Sequence, residues 1–244
     1  MGVVTHFLSL PAVLLSKVPG MGPIVKAAST SVGQKILMAI TGLLLCGFLV
    51  THLAGNLLLV AGEEQFNHYA ETLHSYGPLL NVAEIGLAAL FLAHIGLALS
   101  TNAMNRTARE RQYAEKDSKQ TPKAIPGGAS SWMFATGVII AFFLVVHITD
   151  MRLKQNPFIT YEAKTNEFLS VRQVLTNYST SWLYVVGLVA LGIHLTHGFR
   201  SALQTLGANH PRWNRVLEAL SLLFAFAVAG GFLFLYGWAS ITSL

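Results

Sequence analysis

S31-V-G-Q-K-I-L-M-A-I-T-G-L-L-L-C-G-F-L-V-T-H52-L-A-G-N56 carries a single formal charge, Lys35, and the run stays uncharged as far as Gly62. A hydrocarbon core of about 30 Å takes about 20 mostly apolar helical residues to cross. The stretch from about 33 to 60 therefore predicts a membrane-spanning helix. Four more stretches satisfy the same rule, at about 79–104, 132–153, 181–203 and 216–238. Composition agrees: 53% of the 244 residues are hydrophobic and 11% charged, where a soluble domain carries about 25% charged residues. The expected fold is all-α, an integral membrane bundle of five transmembrane helices over residues 31–244. A soluble enzyme, a secreted disulfide scaffold and a nucleic-acid module are excluded. The net charge of +5 is explained by basic residues flanking spans rather than by a nucleic-acid partner.

Residues 1–30 form a separate unit. The apolar piece at 3–15 is broken by Pro11 and followed by Lys17, Pro19 and Pro23. It lacks a basic n-region and a small-residue cleavage site, so it reads as an interfacial segment lying on the membrane rather than a signal peptide. Basic residues then orient the bundle. Lys17, Lys26 and Lys35 precede the first span. Arg106, Arg109, Arg111, Lys116, Lys119 and Lys123 fill the second loop, and Arg200, Arg212 and Arg215 surround the end of the fourth span. The first loop has Glu63, Glu64 and Glu71 and no Lys or Arg. The positive-inside rule places the N-terminus in the cytoplasm and the C-terminus outside. Trp132, Trp182, Trp213 and Trp238 fit an interfacial belt.

Five of the nine histidines fall within the spans: His52, His94, His147, His194 and His197. An imidazole in hydrocarbon is costly and marks a functional site by default. Taken singly, each reads equally well as a hydrogen bond to a neighbouring helix. Four successive helices each carrying one point instead to axial ligands of haem in a helix bundle. Depth supplies a second criterion. Counting 1.5 Å per residue, His52 lies about 12 Å from the outer end of its helix and His147 close to the outer end of its own. His94 lies about 15 Å and His194 about 9 Å from inner ends. The spacing predicts two stacked bis-histidine haems, His52 with His147 outside and His94 with His194 inside. The single Cys46 and the absence of a CxxCH motif exclude covalent haem and cysteine-held clusters. Gly86 and Gly187 share helix faces with His94 and His194, where either a porphyrin or close helix packing would want a small residue.

The 31–56 stretch closely resembles the first helix of the single-chain diheme cytochrome b subunits of succinate:quinone oxidoreductases, including the related fumarate reductases. E64-Q-F-N-H-Y-A-E71 resembles the segment that follows it in that family. H194-L-T-H-G198-F-R-S-A-L-Q-T-L-G207 resembles the family's fourth helix, where the ligand histidine stands four residues before a glycine. The resemblance covers all five spans and is weak at 1–28, 105–130 and 155–178. It implies a multi-pass subunit of the bacterial inner membrane with two non-covalent b haems and a quinone site, the quinone taken as menaquinone. It also implies docking to a flavoprotein subunit and an iron–sulfur subunit, with no dicarboxylate site in this chain. By position, His52, His94, His147 and His194 match the family's four iron ligands. His197 competes with His194 and is otherwise expected at a haem propionate. Where some fumarate-reducing members carry a glutamate two residues before the fourth ligand, this chain has Gly192.

Propionates seek basic partners, and Lys35 and Arg200 inside and Arg152 outside are the candidates, each also readable as a snorkelling end residue. Glu71 and His74 lie just outside the second helix, near the expected outer haem, and are expected to protonate quinone, against the blander reading of solvated loop groups. Glu84 and Glu218 receive no role. Two other readings stay open: a diheme anchor of a hydrogenase or formate dehydrogenase, and a transporter using histidines as a proton relay.

Overall fold

A computed structural model describes residues 22–107, 129–159, 161 and 166–242. Most of the expected interfacial segment and most of the basic second loop, with Lys17, Arg109, Arg111, Lys116, Lys119 and Lys123, lie outside the described residues. Among the described residues there are helices and connecting turns but no strand. In chain order the helices are α1 (Gly22–Ala28), α2 (Ser31–Asn56), α3 (Leu58–Ala61), α4 (Glu63–Ser75), α5 (Pro78–Thr107), α6 (Ala129–His147), α7 (Glu167–Thr176), α8 (Ser181–Thr205) and α9 (Asn214–Ile241). A π-helical turn, Ile148–Arg152, continues α6.

Five helical segments are long and apolar enough to cross a membrane: Ser31–Ala61, Pro78–Asn105, Trp132–Arg152, Ser181–Thr205 and Asn214–Ile241. Each lies within three residues of the boundaries read from the sequence. Their outer surfaces are apolar. On α5, Leu79, Val82, Ile85 and Leu92 are all about two-thirds exposed, a surface suited to lipid and not to water.

Local signals fix where the helices start and stop. Thr30 caps α2 by accepting from the Gly33 amide at 3.0 Å, which satisfies one of the free donors of the first turn. At the end of α8, Gly207 takes φ 109°. The Ala208 amide donates to the Leu203 carbonyl at 3.0 Å and the Gly207 amide to the Gln204 carbonyl at 3.2 Å. That Schellman arrangement needs a residue tolerant of positive φ.

Helix α8 is the centre of the bundle, packed against α2, α6 and α9, while α5 packs along α2 and meets α6 only sparsely. The join of α8 to α9 combines an apolar core with polar ties. Leu195, Ala225, Val228 and Cys46 of α2 form a buried cluster, and the fully buried Ser221 hydroxyl reaches the Thr196 carbonyl at 2.6 Å.

Side-chain ties show that successive spans alternate in direction. One end gathers Glu84 near the start of α5, Arg152 after α6, Tyr184 near the start of α8 and Thr242 after α9. The opposite end gathers Gln34 of α2 with Ser100 of α5, and Arg200 of α8 with Glu218 of α9. Two short helices cover the first of these ends. Phe66 of α4 and Phe168 of α7 pack together at 6.4 Å and join Leu59 and Leu235 in a buried cluster. Asn166 organises the join: its Oδ1 caps α7 at the Leu169 amide (3.0 Å), and its Nδ2 donates to Glu63 Oε1 (2.6 Å). Asn67 Nδ2 donates to the same Asn166 Oδ1 at 3.1 Å. Arg172 of α7 donates to the Thr242 carbonyl at 2.8 Å. These helices stand where the sequence reading placed only loops.

Candidate functional site

The four histidines read as ligands occupy two levels. Nearer the capped end, the His52 ring from α2 and the His147 ring from the end of α6 face each other with centroids 5.9 Å apart and planes at 85°. An iron held by two imidazoles needs bonds of about 2 Å on each side. Adding about 1 Å from each ligating nitrogen to its ring centre gives a centre-to-centre distance of about 6 Å, as found. The surroundings are aromatic. Phe48 stacks on His52 at 5.1 Å and Phe232 lies at 5.6 Å. Phe143 and Tyr184 lie 5.7 and 6.0 Å from His147. His147 Nδ1 is shut off from solvent with no hydrogen-bond partner. Asn56 Nδ2 donates to the His52 carbonyl at 2.8 Å and lies 3.4 Å from His52 Nδ1.

Toward the opposite end lie His94 of α5 and His194 of α8, which are held alike by threonines of neighbouring helices. The Thr41 hydroxyl of α2 is 3.0 Å from His94 Nδ1, and the Thr136 hydroxyl of α6 is 3.1 Å from His194 Nδ1. Each hydroxyl also reaches back into its own helix: Thr41 to the Leu37 carbonyl at 2.9 Å, Thr136 to the Trp132 carbonyl at 2.8 Å. In both cases a glycine follows the threonine and receives the imidazole. A Cβ at Gly42 would stand 3.3 Å from His94 Cε1, and one at Gly137 would stand 3.7 Å from His194 Cε1. Gly198, four residues after His194, also borders its ring; a Cβ there would lie 3.9 Å from Cδ2. His197, one turn further along α8, faces the charge of Arg200 and engages neither Thr136 nor Gly137. The spacing of the outer pair thus suits two imidazoles on one iron, and the two inner histidines share the same threonine support.

The two glycines singled out from the sequence do other things. A Cβ at Gly187 would run into the Phe143 ring, so that glycine admits a neighbouring aromatic side chain rather than a flat ligand. A Cβ at Gly86 would meet nothing.

The basic residues read as propionate partners are arranged unequally. Arg152 is already committed: Nε donates to Glu84 Oε1 at 2.8 Å and Nη2 to Glu84 Oε2 at 3.0 Å. Arg200 Nη1 lies 3.4 Å from Glu218 Oε2, and its buried Nε has no hydrogen-bond partner. Lys35 is exposed at the start of α2. Glu84 and Glu218, to which the sequence reading gave no role, are the carboxylates that hold these arginines.

His74 lines a cavity of about 310 Å³ with Met151, Arg152, Leu153, Lys154 and Glu167. Glu71 is exposed and does not line it. The residue the sequence reading missed is Asp150, the one acidic side chain in the third span and only 1% exposed. Its Oδ2 accepts from the Tyr184 hydroxyl at 2.9 Å and its Oδ1 from Asn156 Nδ2 at 2.7 Å. The Tyr161 hydroxyl donates to the Asp150 carbonyl at 2.9 Å. Burial, and then the nearby Asp150, push the Tyr161 phenol above its usual range. A lone acid in an apolar run was the signal available for Asp150. Among the described residues no cluster of three or more His, Cys, Asp or Glu could hold a bare metal ion. No protein-family model, curated protein or solved structure matches the chain.

Proposed function

We propose that the chain is the cytochrome b subunit of a succinate:quinone oxidoreductase, lying in the bacterial inner membrane with its N-terminus in the cytoplasm. In this reading it anchors a flavoprotein subunit and an iron–sulfur subunit, and it conducts electrons between the iron–sulfur subunit and a quinone. The observation that carries the proposal is the His52–His147 pair, with ring centres 5.9 Å apart, supported by the matched threonine contacts of His94 and His194 at the other end of the bundle. His52 and His147 would hold one b haem near the capped, outer end, and His94 and His194 a second nearer the cytoplasm. A haem iron ligated by two imidazoles supplies one-electron transfer with no open position for substrate.

The chain's own groups do the rest. Phe48, Phe143, Tyr184 and Phe232 keep water from the outer pair. Arg200 offers its free Nε to an inner propionate, while Glu84 withholds Arg152 from that use. Quinone reduction takes up two protons as well as two electrons, and His74 is the better-placed donor because it lines the cavity beside the π-turn whereas Glu71 does not.

The test is haem stoichiometry followed by reconstitution. Pyridine haemochrome analysis of the purified chain should give two non-covalent b haems, and the chain should co-purify with flavoprotein and iron–sulfur subunits into a succinate:quinone reductase. One haem or none per chain would contradict the proposal. So would two haems with co-purifying hydrogenase or formate dehydrogenase subunits.

A further inference from the structure

Thr41 and Thr136 occupy equivalent places against different histidines on different helices. Each lies on the span that precedes its histidine's own and packs against it: Thr41 on α2 beside α5, and Thr136 on α6 beside α8. A threonine hydroxyl has one hydrogen and two lone pairs. At both positions the oxygen sits at hydrogen-bond distance from carbonyls three and four residues back, 2.9 and 3.1 Å for Thr41, 2.8 and 3.2 Å for Thr136. Carbonyls only accept; with the hydroxyl hydrogen given to the helix, the oxygen accepts from the histidine and Nδ1 is the protonated nitrogen. The proton on Nδ1 leaves the Nε2 lone pair free, as iron ligation requires.

Resting on the haem reading above, we infer that Thr41 and Thr136 are the positioning residues of the inner site. They fix the tautomer and rotation of His94 and His194, with Gly42 and Gly137 clearing room for the rings. The outer pair lacks the device. His147 Nδ1 has no partner, and His52 Nδ1 faces an amide NH₂, itself a donor. The two haems are therefore tuned differently from the side away from the iron. An Nδ1–H that donates to oxygen raises the basicity of Nε2 and favours the ferric state; removing that acceptor favours the ferrous state.

The experiment is a redox titration with low-temperature EPR on the haem-loaded full chain carrying Thr41→Val, Thr136→Val, Thr41→Ser or Thr136→Ser. Valine preserves shape and removes the acceptor, whereas serine restores it. Each valine variant should raise the midpoint potential of the same single haem, the one lost in His94→Ala. The expected size is up to a ten-fold change in the ferric-to-ferrous ratio, about 59 mV for one electron. Each serine variant should return the potential to that of the parent chain. Unchanged potentials and g-values in both valine variants would overturn the inference while leaving the two-haem reading intact, as would a shift confined to the other haem. Loss of the inner haem that serine fails to restore would overturn it too, since side-chain volume and not the hydroxyl would then matter. A parent chain without two haems would overturn both readings.

Discussion

At single positions, glycine has several distinct jobs in this bundle, and sharing a helix face with a histidine does not separate them. Gly187 makes room for the Phe143 ring, and a methyl group there would collide with it. Gly187→Ala should therefore destabilise the chain by about 1–3 kcal/mol through overpacking, lowering the melting midpoint in detergent by a few degrees. Gly86→Ala, with open space beside it, should leave the midpoint unchanged. Gly42 and Gly137, which meet the Cε1 atoms of the imidazoles, are on the helices opposite the histidines, whereas Gly198 borders His194 from its own helix. Only the packing of α2 against α5 and of α6 against α8 shows which glycine meets which ring. Periodicity within one helix holds no such information.

At the level of elements, the five long helices were legible because their cause is local: an apolar run of sufficient length, with polar connections between. Helices α4 and α7 were not. Their residues are mostly polar, and they hold their place through partners distant in sequence, Phe66 on Phe168 and Asn166 on both Glu63 and the start of α7. Asn166→Ala removes an N-cap worth about 1 kcal/mol together with both ties to α4. Amide exchange in α4 and α7 should accelerate while exchange in α8 and α9 stays slow; equal acceleration throughout would show that the cap and the bundle unfold as one unit. The π-turn after His147 depends on a different anchor. Asp150 accepts from Tyr184 of α8 and from Asn156 beyond the turn. Asp150→Ala would strand both donors in a buried setting, at about 1–3 kcal/mol each. A loss of several degrees in melting midpoint is expected, with Asp150→Asn retaining part of the difference. Asp150 escaped the sequence reading because an acid two residues before Arg152 looks like an ordinary span end. Its burial comes from the helix continuing as a π-turn against α8.

For the whole molecule, alternation of the spans turns distance along each helix into depth. The arithmetic that groups His52 with His147 in the sequence has a counterpart in the packing, where their ring centres lie 5.9 Å apart; His94 and His194 share matching threonine contacts toward the other end. What depth alone did not yield is the second ring of contacts, the two threonines below and the aromatic enclosure above, because those depend on helix rotation and on which helices adjoin. The orientation proposed for the bundle rests on the distribution of charge. On that proposal, cross-linking should place the iron–sulfur subunit on the side of Arg212 and Arg215, and a cross-link to the 63–71 segment would reverse it. The central claim is that each haem belongs to one pair of histidines. Redox titration with low-temperature EPR of His52→Ala, His147→Ala, His94→Ala and His194→Ala tests it most directly. The account predicts that His52→Ala and His147→Ala abolish or convert one haem signal, that His94→Ala and His194→Ala abolish or convert the other, and that the remaining signal keeps its potential in every case. Loss of the same signal in His52→Ala and His94→Ala would contradict it.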